Sequence, residues 1–148
     1  MDDRIFEASR GPLLLSTDRG KIDVDGVLAM LLVSHWGGSM TRPMLERAIA
    51  NSVCFSVFDT DAGNRQVAFA RAVSDLATYA YLTDVIVADD ARGKGIGTWM
   101  MEAIMGHPDL QGLRRIALWT RDARALYEKF GFSTEMPAST YMELRIRP

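Results

Sequence analysis

Three glycines alternate with a lysine and an isoleucine in Arg92-Gly93-Lys94-Gly95-Ile96-Gly97, directly after the apolar run YLTDVIVA and before a stretch with helical spacing. Each glycine in a helix interior costs about 1 kcal/mol relative to alanine. Three in five residues therefore imply either unusual backbone dihedrals or a ligand that comes very close to the chain. A strand that turns through glycines into a helix offers unpaired N–H groups and the positive end of the helix dipole, which suits an anion such as a phosphate. Two phosphate motifs fail here. No Gly-Lys-Ser/Thr exists to complete a Walker A loop, and the glycines fall as G-x-G-x-G rather than the dinucleotide pattern G-x-G-x-x-G.

Other reactive side chains are sparse. Cys54 is the only cysteine, within a strand-like run and with no histidine beside it, so it reads as a small core residue rather than a nucleophile. His35 and His107 are too few and too scattered for a metal site, and none is expected. His35, next to Trp36, falls where a first helix ends and suits an interior or capping role. Asp84 is the only acid in the run 78–87. Strand periodicity places it opposite Tyr79, Tyr81 and Val85, unless a bulge shifts the phase. Its structural reading is a carboxylate bonded to nearby backbone or to Arg71. Tyr127 is spaced with Ala123 and Phe130 as a core aromatic of an amphipathic helix.

The elements that would position these groups can be followed along the chain. Residues 12–18 read as a strand, and Asp23 can cap a helix carrying Val24, Val27, Leu28, Leu31 and Leu32. Thr41 can cap a second helix with Pro43 in its first turn. VCFSVF and QVAFARAV, joined by the turn-rich DTDAGNR, predict an antiparallel hairpin, and TYAYLTDVIV a long central strand. Ile96, Trp99, Met100, Ala103 and Ile104 form one face of the helix after the glycines, which GHP closes. Residues 114–120 are a further strand, 122–130 a helix stopped by Gly131, and 140–146 (TYMELRI) a last strand. The predicted order is β-α-α-β-β-β-α-β-α-β: an α/β (α+β) chain with one mixed, mostly antiparallel sheet, helices on both faces, and a single domain over 1–148.

Arg92, Gly95 and Gly97 fill the pattern [RQ]-x-x-G-x-[GA]. With DVIVADDARGKGIG and the later ALYEKFGF, separated by one helix and one strand, the chain resembles the GNAT superfamily of N-acetyltransferases along nearly its whole length. The resemblance implies direct attack of a primary amine on the thioester of acetyl-CoA. It also implies that the strand end Val85-Ile86-Val87 splays from its neighbour to meet the pantetheine. An amide of Ile86 or Val87 would then face the thioester oxygen, and the amides from Gly93 through Lys94, Gly95, Ile96 and Gly97 to Thr98 would hold the pyrophosphate. Arg92 and Lys94 could add charge, although Lys94 equally suits a solvent-facing role. By resemblance Tyr127 is the acid that protonates the departing thiolate, for which a phenol of pKa ~10 is suited. The family often has an asparagine seven residues before this tyrosine. Here Thr120 stands at that spacing as a cofactor contact, with Asp122 as an alternative N-cap. For the general base, Asp84 is one candidate and a water relay through Tyr79 and Tyr81 another. A non-catalytic acyl-CoA-binding module is the alternative function.

A formal net charge of −2, with 24% charged residues, excludes a strongly basic nucleic-acid binder. No apolar run approaches the ~20 residues that span a bilayer, and the acidic start MDDR lacks signal-peptide features. The expectation is a cytoplasmic protein without nucleic-acid or membrane partners, for which a homodimer is compatible. The acceptor is read only from the apolar and aromatic set around Trp36, Arg42, Tyr79, Tyr81 and several methionines. That set favours a small amine with an apolar or carboxylate-bearing body over a polycation.

Overall fold

The computed structural model describes residues 4–34, 38–135 and 140–146, so His35 and Trp36 lie outside the described residues. Six strands form one sheet in sequential order: β1 (Glu7–Arg10), β2 (Leu13–Ser16), β3 (Val53–Asp59), β4 (Arg65–Ser74), β5 (Tyr79–Val87) and β6 (Arg115–Leu118). Neighbours from β1 to β5 are antiparallel, and β6 runs parallel to β5. Helices α1 (Val24–Leu32) and α2 (Arg42–Ala50) separate β2 from β3; α3 (Ile96–Gly106) crosses from β5 to β6; α4 (Arg124–Glu128) follows β6. This is the mixed, mostly antiparallel sheet with flanking helices expected from the sequence.

The helices divide between the two faces. On one, Val27, Leu31, Leu45 and Ile49 of α1 and α2 pack on Cys54, Phe69 and Ile86. On the other, Ile96, Trp99, Met100, Met101 and Ile104 of α3 and Tyr127 of α4 pack on Phe55, Val57, Ala80 and Leu82. Cover on both sides explains why β3 is buried from Val53 to Phe58 rather than alternating. The expected caps are present. Asp23 accepts from the Gly26 amide at 3.1 Å and Thr41 from the Met44 amide at 3.4 Å, with Pro43 in the first turn of α2.

Some boundaries differ from expectation. β1 was not expected. It is exposed along its whole length, so no alternation marks it, and it exists because the turn at Gly11 folds it back on β2. The strand expected over 12–18 shortens to β2, and the helix expected over 122–130 to α4. Residues 140–146, expected as a last strand, form none. Met142, Leu144 and Ile146 are 92%, 85% and 83% exposed, so neither face of the segment is buried. Alternating apolar residues signal that a segment can pair, not that a ladder partner adjoins it. Among the described residues no helix is long and apolar enough to cross a membrane.

Phe69 sits fully buried at the centre of the face that α1 and α2 cover. Phe69→Ala should cost about 3–5 kcal/mol, read as a lowered denaturant midpoint in equilibrium unfolding with the slope unchanged.

Candidate active site

β5 is paired on both sides only over its first half. Its register with β6 runs from Tyr79↔Arg115 to Leu82↔Leu118 and ends there. Contact with β4 continues to Ala68↔Val87, and the Ala88 amide donates to the Val67 carbonyl at 2.8 Å. The strand end Val85-Ile86-Val87 is therefore separated from β6 and held to β4. The ladder ends because β6 itself ends at Leu118, and this leaves a notch along one edge of β5.

Beyond the notch the chain makes one turn, Asp89–Ala91, and enters the glycine loop. Gly93 and Gly95 both have φ +78°, the left-handed region that side chains disfavour, so the backbone itself requires glycine at these positions. A Cβ built at either would meet nothing within 4 Å. The turn is strained and also open. Gly95 caps α3 without any side-chain hydrogen bond, and the first intrahelical bond is from the Trp99 amide to the Gly95 carbonyl at 3.0 Å. The amides of Ile96, Gly97 and Thr98 thus face outward at the positive end of an eleven-residue helix. Ile96 contributes only its amide, since its side chain is buried in the core. Gly97 lies where α4 meets the first turn of α3: a Cβ there would be in ordinary contact with Leu126 Cδ2, at 3.6 Å.

Tyr127 of α4 belongs to the same apolar cluster as Ile96, Trp99 and Met100 of α3. Its ring is buried and meets Phe132 edge to face at 5.9 Å between centroids. No hydrogen bond within the described residues occupies its hydroxyl, which is also not sealed from solvent. Burial, with a smaller contribution from Asp122, raises its pKa above the ordinary phenol value, so the group stays protonated. Thr120 accepts from the Ala123 amide at 2.9 Å and closes the turn before α4. The capping role considered for Asp122 is not filled: Ala123 holds the N-cap position of α4 with no side-chain cap bond.

Asp84 takes the bulged alternative considered for it, and the bond to Arg71 forms with it. Phe69 pairs with Ile86 and Arg71 with Thr83, so Ala70 faces two residues of β5, Asp84 and Val85, in a bulge. Before the bulge Ala80 and Leu82 point to the α3 face; after it Ile86 points to the α1–α2 face while Val85 and Val87 turn toward α3. Asp84 consequently joins the face of Tyr79 and Tyr81 instead of opposing it. It is buried, and its Oδ2 accepts from Arg71 Nε at 2.5 Å. The Tyr81 pKa is raised by burial first, then by Tyr79, Asp84 and Glu143.

A groove of about 900 Å³ runs from the end of α1, with Met30, Val33 and Ser34, past Ile86 and Val87 to Arg92. At its mouth Arg65 grips Asp90 through two bonds of 2.8 Å, which holds the Asp90 carboxyl below its ordinary range. Twenty-five residues separate this pair in sequence, and no local pattern announces it. Arg92 curls back onto Asp89 (3.2 Å) and the Val87 carbonyl (3.4 Å), while Lys94 is exposed. Cys54 is buried, with its thiol pushed up to about 12, as befits a core residue. His107 is buried too, its Nδ1 accepting from the Asp109 amide at 3.1 Å. Arg42 bonds Asp25 and Glu46.

Comparison with known proteins converges on one family. The family model described as acetyltransferase (GNAT) domain matches residues 51–134, more than half of the chain. A candidate acetyltransferase of Gibberella zeae is 31% identical over 142 residues, covering 82% of this chain and 78% of that protein. A crystal structure of a candidate GNAT-family acetyltransferase from Xanthomonas campestris pv. campestris superposes with a TM-score of 0.84 at 41% identity, covering 90% of this chain and 93% of that one. The fold also matches a candidate acetyltransferase from Clostridium acetobutylicum solved with acetyl-CoA, at 16% identity and a TM-score of 0.61, over 96% and 95% of the two chains.

Proposed function

From the premise that this chain belongs to the GNAT acetyltransferase family, we propose that it moves an acetyl group from acetyl-CoA to a small primary amine by direct attack, within one domain spanning residues 1–148. The observation that carries the donor half is the uncapped, glycine-lined N-terminus of α3 at the end of a strand split from its neighbour. The open space at Gly93 and Gly95 suits a pyrophosphate, and the free edge of β5 suits an extended chain of amides. The Clostridium acetobutylicum structure with acetyl-CoA adds support from the same fold.

Acetyl-CoA supplies the activated acyl carbon. The rest of the chemistry is assigned to residues of this chain. Amides from Gly93 to Thr98 bind the diphosphate, and an amide of Ile86 or Val87 donates to the thioester oxygen. Thr120, already bonded to the Ala123 amide, can still donate its hydroxyl proton toward the cofactor. Tyr127, with a free hydroxyl and a raised pKa, donates the proton that the thiolate takes up. On the amine side Tyr81 stays a phenol, so it relays a proton to water rather than keeping it. Asp84 is committed to Arg71 and enters through that bond, as described below.

The groove narrows the acceptor. Its α1 wall is Ala29, Met30 and Val33, and the arginines at its mouth are already paired with aspartates. Arg42, the cation considered for a carboxylate-bearing acceptor, is taken by Asp25 and Glu46. An apolar-bodied amine is favoured over the carboxylate-bearing kind.

Gly95→Asn, which tolerates a left-handed backbone, should fold normally yet weaken acetyl-CoA binding tenfold or more, about 1.4 kcal/mol, by isothermal titration. Unchanged affinity would remove the loop from the site. Tyr127→Phe should lower kcat by about 10²–10⁴ with cofactor affinity retained; full activity would return the ring to packing alone. A panel of amines assayed for acetyl-CoA-dependent thiol release should show highest kcat/KM for small apolar-bodied primary amines. A polyamine or aminoglycoside as the best acceptor would refute that choice, and activity on peptide N-termini alone would redirect it to protein modification.

A further inference from the structure

Asp84 has φ +53° inside a strand, whereas the other non-glycine residues with positive φ, Asn64 and Leu76, lie in the turns between strands. A left-handed backbone is uncommon for a residue with a side chain, and inside a strand it persists only where the surroundings over-determine it. The surroundings here are a chain of polar contacts. Asp84 Oδ2 accepts from Arg71 Nε at 2.5 Å, with side-chain exposures of 6% and 13%. Arg71 Nη1 donates to Ser52 Oγ at 3.3 Å, and Ser52 Oγ donates to the Ala48 carbonyl of α2 at 2.6 Å. The last turn of α2 is thereby tied to the bulge in β5.

A buried ion pair adds little stability over a well-packed apolar pair, but it penalises any arrangement that separates its charges. Without the bulge, period 2 would turn Asp84 toward Ala80, Leu82 and the α3 helix, leaving a carboxylate in an apolar cluster and Arg71 without its partner. The bulged register is the one that keeps the pair together. That register also decides how the β5 edge beyond Leu82 presents its amides.

The geometry points to Arg71 and Asp84 as positioning residues: their ion pair holds the β5 bulge and so aims the Ile86 and Val87 backbone, rather than Asp84 taking a proton from the acceptor. The catalytic consequence rests on the acetyl-transfer reading; the structural one does not. Hydrogen exchange of the full-length protein, read by mass spectrometry, separates the two. Arg71→Met should speed exchange of residues 83–87 at least tenfold while leaving 79–82 unchanged. Should the lone buried carboxylate prevent folding, the double variant Arg71→Met with Asp84→Asn removes both charges and should show the same local loss of protection. Asp84→Asn alone should lose less protection than Arg71→Met, because asparagine accepts a left-handed backbone and its carbonyl still receives the Arg71 Nε–H although the charge is gone.

In acetyl-CoA turnover, Arg71→Met should raise the acetyl-CoA KM, and Asp84→Asn should lower kcat only in step with its loss of protection while keeping the midpoint of the pH–rate profile. Undisturbed exchange of 83–87 in both Arg71 variants would overturn the positioning role. So would an Asp84→Asn protein that keeps its protection but loses turnover along with the pH dependence, because Asp84 would then be the proton acceptor. A protein that turns over no amine at all would instead count against the acetyl-transfer reading, and the exchange result would still decide the bulge.

Discussion

β5 has to satisfy two neighbours that diverge. β4 follows it to its end, while β6 stops after Leu118 and the chain leaves for α4. Backbone N–H and C=O groups are obligatory hydrogen-bonding groups, so a strand that loses its partner midway exposes a row of them. A protein usually hides such an edge. Here the edge stands beside a groove lined by Ile86, Val87 and Arg92, and the chain continues from it through one turn into the glycine loop. Had β6 run four residues further, the sheet would be larger and that edge closed.

The two faces of the sheet then take different duties. The α3–α4 face holds Ile96, at the start of α3, and Tyr127 in one apolar core. The α1–α2 face carries the polar chain through Ser52, Arg71 and Asp84, with Tyr79 and Tyr81 beyond. The bulge is where the strand changes its allegiance, sending Val85 and Val87 to one side and Ile86 to the other.

Much of this was readable from the sequence because the signals are local. The glycine alternation, the Asp23 and Thr41 caps and the hairpin over 53–73 each depend on residues a few positions apart, and all appear in the structure. What escaped depends on distant partners. For Asp84 the sequence allows both the bulge and the Arg71 bond, and only the register opposite Ala70 chooses between them and strict alternation. The Arg65–Asp90 clamp joins two strand ends far apart in sequence. The segment 140–146 has strand composition but no ladder, and β1 has a ladder without strand composition. In both cases pairing, not propensity, decided the outcome.

Gly97 lies within the helix, not in the left-handed turn, so its lack of a side chain serves neither backbone freedom nor ligand clearance first. A Cβ at this position would lie 3.6 Å from Leu126 Cδ2, an ordinary packing distance. An alanine there would rest on Leu126 without displacing it, so the seam between α3 and α4 has room for one methyl, and only a larger side chain would push the two helices apart.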